Sequence, residues 1–150
     1  MSRLQLALNV SDLDEAIAFY STFFKTEPAK VQPGYANFAI LEPPLKLVLF
    51  EDAKAGGTIN HLGVEVFSSE EVTAATDYLR GQGMATDVEE HTTCCFALQD
   101  KVWVQGPDQQ RWEVYTVLED ASGGEVGGDA MCCATEADES VPVSIATSCC

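Results

Sequence analysis

Six cysteines fall in three adjacent pairs, Cys94-Cys95, Cys132-Cys133 and Cys149-Cys150. A disulfide between chain neighbours closes a small strained ring, and a reducing compartment keeps such thiols free, so this spacing points to soft-ion chemistry. A second set of chemically capable residues, Gln5, His61 and Glu113, interrupts apolar, strand-like runs. Together they offer a neutral oxygen, an imidazole nitrogen and a carboxylate oxygen, donors suited to a divalent first-row metal with coordination positions left open. The same three residues admit a structural reading, in which Gln5 ends an edge strand, His61 is hydrogen-bonded in the core and Glu113 pairs with Arg111 or Lys101. His91, in the polar run Glu89-Glu90-His91-Thr92, reads as a solvated loop residue. Glu65 shares a strand face with His61 but lies about 13 Å further along an extended chain, too far for joint ligation.

The elements that must position these groups are legible as an internal repeat. Gln5-Leu6-Ala7-Leu8-Asn9-Val10 aligns with His61-Leu62-Gly63-Val64-Glu65-Val66 at a spacing of 56 residues. Both segments alternate as half-buried strands do, so Leu6, Leu8 and Val10 face one way with Leu62, Val64 and Val66. Gln5 and His61 take matching places on the opposite face, with the small Ala7 and Gly63 beside them. A capped helix follows each strand: Asp12 with Glu15 precedes Ala16, Ile17, Phe19, Tyr20, Phe23 and Phe24, and Ser68 with Glu71 precedes Val72, Ala75 and Leu79. Gly81 and Gly83 are expected to stop the second helix. Strand-like runs come next, over 35–41 and 46–51 in the first half, then over 93–105, broken near Gln99-Asp100, and 111–118 in the second. On the last of these Glu113, Tyr115 and Val117 share one face. The expected architecture is α+β, two tandem βαβββ modules over about 1–55 and 56–118 that enclose a shared cavity, with a ferredoxin-like sandwich as the competing arrangement.

The chain has 150 residues, 46% of them hydrophobic, and a formal net charge of −16. That size fits one domain with a real core, and the negative field disfavours nucleic acid and anionic membranes as partners. No run approaches the ~20 apolar residues of a membrane helix and the N-terminus lacks a signal-like apolar stretch, so a cytoplasmic protein is expected. Residues 119–150 carry seven acids, no Lys or Arg, two Gly-Gly pairs and four cysteines. They read as an acidic, flexible, thiol-bearing tail, with Cys132, Cys133, Cys149 and Cys150 as accessory thiols that deliver soft ions or serve no function.

Gln5 with Val10, Asp12 and Phe19-Tyr20, the segment Asn60 to Val66, and Gly106-Pro107-Asp108 leading to Trp112-Glu113-Val114-Tyr115 together resemble the vicinal-oxygen-chelate superfamily of glyoxalases, bleomycin-resistance proteins and extradiol dioxygenases. The runs 34–40, 44–49 and 60–66, and above all Thr92-Thr93-Cys94-Cys95-Phe96-Ala97, resemble the ArsI-type carbon-arsenic lyases and the related cadmium-induced CadI proteins. That resemblance implies Fe(II) held by Gln5, His61 and Glu113, a trivalent organoarsenical held by Cys94 and Cys95, and dioxygen as co-substrate. It further implies oxidative cleavage of methylarsenite and trivalent aromatic arsenicals to arsenite, and a homodimer.

Chemistry supports the thiol pair independently of the resemblance. Trivalent arsenic with one organic group has two exchangeable positions and favours sulfur, so two thiolates can hold it while its carbon bond stays available. Adjacent strand residues point to opposite faces, so sharing one arsenic requires 92–95 to be an irregular, movable loop. Two other functions stand beside this one. A non-catalytic thiolate protein sequestering Cd(II) or As(III) would use the cysteines but not the Gln5, His61 and Glu113 set. Extradiol cleavage or glyoxalase-type isomerisation would leave the cysteine pair unexplained.

Overall fold

The computed structural model describes residues 2–120, and Cys132, Cys133, Cys149 and Cys150 lie outside the described residues. The element order is β1 (Arg3–Val10), α1 (Leu13–Phe24), β2 (Lys30–Gln32), β3 (Tyr35–Ile40), β4 (Leu45–Glu51), β5 (Ile59–Glu65), α2 (Ser69–Gly81), β6 (Asp87–Cys94), β7 (Ala97–Gln105) and β8 (Arg111–Asp120). These are the two βαβββ modules, and their strands form one mixed sheet in the order β2-β3-β4-β1-β5-β8-β7-β6. The sheet curls into a half-barrel, so the ferredoxin-like alternative does not hold.

Both helices start as their caps dictate. The Asp12 carboxylate accepts from the Glu15 amide at 2.8 Å, and Ser68 Oγ accepts from the Glu71 amide at 3.3 Å. Each satisfies an amide that the first helical turn leaves without a partner. The outward faces of the strands then bury against the helices. Ala36, Phe38, Ile40, Leu47 and Leu49 form one core with Leu13 of α1, and Val66, Val72 and Val102 form a second under α2. Each large aliphatic or aromatic side chain so buried contributes about 1.5–3 kcal/mol. The other face of every strand is left to line the concave side.

Register fixes what meets there. β1 and β5 run antiparallel at the centre, pairing Gln5 with Gly63 and Ala7 with His61. Each is flanked by a parallel partner: β4 beside β1, with Ala7 opposite Val48, and β8 beside β5, with Gly63 opposite Glu113. Gln5 therefore sits on a central strand, not at the end of an edge strand.

The stretch 93–105 departs from expectation. It is not one strand broken near Gln99-Asp100 but a hairpin whose first strand begins at Asp87 and whose two-residue turn is Cys95-Phe96. Both turn residues have left-handed backbone, with φ of 51° and 64°. A turn with two positive φ values matches the twist of a tight hairpin and normally takes Asn or Gly, because other residues pay roughly 1 kcal/mol or more each. No helix among the described residues is long and apolar enough to cross a membrane.

Candidate functional site

Gln5 on β1, His61 on β5 and Glu113 on β8 converge on the concave face, all three buried. The Gln5 amide donates to Glu113 Oε1 at 2.6 Å and lies 3.0 Å from His61 Nε2, and His61 Nε2 is 3.3 Å from Glu113 Oε1. Gly63 makes this convergence possible: a Cβ there would stand 3.0 Å from Glu113 Cγ and 3.4 Å from Gln5 Cβ.

A chain of amides behind the imidazole sets its tautomer. Asn9 Nδ2 donates to Thr58 Oγ1, Asn60 Nδ2 donates to Asn9 Oδ1, and Asn60 Oδ1 therefore faces His61 Nδ1 at 2.7 Å. Nδ1 therefore carries a proton, and Nε2 is turned toward Gln5 and Glu113. Phe50 and Trp103 hold the ring from two sides, with centroids 6.1 and 5.4 Å away.

Burial by itself raises the Glu113 pKa. The hydrogen bond with His61 and the Lys101 ammonium outweigh it, and the carboxyl is held below its ordinary value. Oε2 is paired with the buried Lys101 Nζ at 3.2 Å. Of the two cations expected as partners, Lys101 takes the role. Arg111 instead places its guanidinium 4.2 Å from the Trp103 ring.

These donors fit a divalent cation. An imidazole with Nε2 turned inward, a carboxylate whose Oε1 faces it, and a carboxamide meet at one buried point. Half a turn of the Gln5 carboxamide about its last torsion exchanges the nitrogen for the carbonyl oxygen and completes the set. No group of three or more His, Cys, Asp or Glu able to hold a metal occurs among the described residues, so a donor set of this kind depends on the amide.

The three residues line a cavity of about 210 Å³ that Cys94 and Cys95 also line. The cysteine sulfurs are 3.1 Å apart, within twice a metal-thiolate bond of ~2.3 Å. The expected irregular loop over 92–95 is absent: Thr92 to Cys94 belong to β6, and the left-handed backbone at Cys95 is what escapes strand alternation. Cys95 and Phe96 pack against Ala7, Tyr35 and Val48 of the first module. Lys30 on β2 holds the turn, donating to the Phe96 carbonyl at 3.0 Å and to Asp120 at 2.6 Å.

His91 lies elsewhere, on an exposed bulge of β6 where its amide donates to Asp100 at 2.7 Å. Glu65 lines the cavity but is paired with Arg3 and, at 3.7 Å, with Lys46. Sequence reasoning overlooked Asn60, Asn9 and Thr58 as the support of His61. The only signal was an Asn on the polar face of each repeat strand or next to it, which shows its use once the register is known.

A family model described as the glyoxalase/bleomycin resistance protein/dioxygenase superfamily matches residues 3–114. The trivalent organoarsenical cleaving enzyme of Thermomonospora curvata is 52% identical over 151 residues, all of both chains. The cadmium-induced protein CadI of Mycobacterium tuberculosis is 64% identical over 121 residues, 81% of this chain and 80% of that protein. Homoprotocatechuate 2,3-dioxygenase from Arthrobacter globiformis has the same fold, with a TM-score of 0.59 at 22% identity over 79% of this chain and 36% of that one.

Proposed function

The chain belongs to the glyoxalase/bleomycin resistance protein/dioxygenase superfamily, and within it we propose that the protein is an Fe(II)-dependent, dioxygen-using lyase that cleaves the carbon-arsenic bond of methylarsenite and trivalent aromatic arsenicals to give arsenite. The observation that carries this reading is that one cavity is lined both by the adjacent cysteines Cys94 and Cys95 and by a Gln, His and Glu set. The 52% identity to a trivalent organoarsenical cleaving enzyme over its whole length supports it.

Cys94 and Cys95 take the two exchangeable positions of the arsenical and leave its carbon substituent inside the cavity. Gln5, His61 and Glu113 would hold Fe(II), which when bound supplies the electron transfer to dioxygen that side chains cannot. Asn60 keeps the His61 proton on Nδ1 so that Nε2 remains a donor. Lys101 offsets the charge of Glu113, with which it is buried. Phe50 and Trp103 fix the imidazole plane and exclude water from it.

A second reading has its own support, the 64% identity to a cadmium-induced protein: the thiols sequester Cd(II) or As(III) without turnover. One experiment separates them. The protein is loaded anaerobically with Fe(II), methylarsenite and then dioxygen are added, and arsenite is quantified, with Glu113→Ala and Cys94→Ser/Cys95→Ser alongside. Arsenite formed by the wild type and by neither variant is the expected result. Stoichiometric arsenic binding without arsenite, under confirmed iron loading, would replace the lyase with the sequestering protein.

A further inference from the structure

The repeat gives each position of one module a counterpart in the other. Ala7 and Gly63 correspond at the spacing of 56, and across the parallel pairs Ala7 faces Val48 while Gly63 faces Glu113. Val48 thus holds in the first module the place that Glu113 holds in the second. One step along, Asn9 faces Phe50 as Glu65 faces Tyr115, and Phe50 pairs with Tyr35 as Tyr115 pairs with Lys101. Glu113, Tyr115 and Lys101 are matched by Val48, Phe50 and Tyr35, a trio with neither carboxylate nor ammonium.

The side chains of this uncharged trio run without a break between the two functional groups. Cys95 and Phe50 pack on Tyr35 and Val48, the Tyr35 ring is 5.5 Å from Phe50 and 5.4 Å from Phe96, and Phe50 reaches His61. Asn37 Nδ2 donates to the Tyr35 hydroxyl at 2.8 Å and so fixes that ring. Elsewhere the cavity wall is largely polar, with Lys30, Asn37, Lys46, Glu65 and Gln99. Once two thiolates occupy arsenic, the remaining substituent is carbon, and an apolar group avoids the cost of stripping water from the polar wall by lying on this patch.

We propose that Tyr35, Val48 and Phe50 form the subsite for the organic group of the arsenical, and that Val48 sets the size accepted. This rests on the arsenical reading above. A carboxylate at this place would add a fourth donor beside Gln5, His61 and Glu113 and close the side from which the carbon group approaches. Val48 keeps that side apolar and open.

The test uses the full chain under anaerobic conditions without added metal, so that capture is measured apart from turnover. Methylarsenite and phenylarsenite are titrated in competition with a small dithiol against the wild type, Val48→Leu and Val48→Phe, with thermal melts confirming that each is folded. One added methylene in an apolar subsite discriminates by roughly tenfold or more, so Val48→Leu lowers phenylarsenite affinity about tenfold relative to methylarsenite, and Val48→Phe lowers it further. If Val48→Phe fails to fold, Val48→Leu alone decides. Both arsenicals retained at the wild-type ratio in a folded Val48 variant would overturn the subsite. Failure of the underlying reading looks different: binding of both arsenicals would survive in Cys94→Ser/Cys95→Ser, or be absent from the wild type, and the subsite would fall with it.

Discussion

The two modules have one backbone plan and differ in their linings at three corresponding positions. At corresponding positions on the concave face the second module carries Glu113, Tyr115 and Lys101, and the first carries Val48, Phe50 and Tyr35. The repeat supplies the geometry, and three side-chain choices then set a patch fit to hold charge around Glu113 and Lys101 against a patch fit to hold carbon around Val48 and Phe50. Helices and cores are kept alike on the convex side, where they only need to pack.

The largest effect comes from erasing the difference in the second module. Glu113→Val leaves Lys101 buried without its carboxylate, so stability falls by about 3–5 kcal/mol and metal binding is lost. Adding Lys101→Met recovers the stability in urea denaturation but not the metal in calorimetry. Erasing the difference from the other side is the next test: Val48→Glu, measured the same way, tightens divalent metal binding while removing phenylarsenite capture. Asn60→Ala has a smaller effect, about 10–100-fold in metal affinity, because it frees the His61 tautomer without touching the donors. The smallest is a pH effect confined to the second module, where burial, opposed and outweighed by hydrogen bonds and charge, leaves the Glu113 and Asp100 carboxyls below their ordinary values. A depressed carboxyl adds stability above the unfolded-state pKa of about 4 and loses it as pH falls through the folded value. Urea midpoints therefore drop on acidification below about pH 4, and Glu113→Gln shows a shallower drop.

The fold and the candidate ligands were largely legible in the sequence, whereas the division of the lining was not. The alternation of Gln5 to Val10 and of His61 to Val66 placed both ligand candidates on one face, and the two caps placed both helices. The hairpin turn was not legible because Cys95-Phe96 lacks the Gly or Asn that marks two positive φ values. β6 was missed because Asp87 to Cys94 is a polar edge strand with no apolar period to reveal it. The choice between Lys101 and Arg111 as partner of Glu113 needed the β7-β8 register, which no single segment contains. The adjacent cysteines were a subtler case. Alternation correctly forbids a shared face within a strand, and the chain escapes by ending the strand between them.

The Lys30 contact with the Phe96 carbonyl gives the sheet a property its hydrogen-bonded ladder lacks. β2 is one edge of that ladder and the hairpin of β6 the other, so this ammonium joins the rims of an otherwise open cup. The circumference is a hoop closed by this bond, by the Lys30 pair with Asp120 and by the packing of Cys95 and Phe96 on Ala7, Tyr35 and Val48. The hydrogen bond to a charged group alone is worth about 1.5–3 kcal/mol. The same lysine that fastens the cysteine turn thus also helps to hold the rim of the vessel shut.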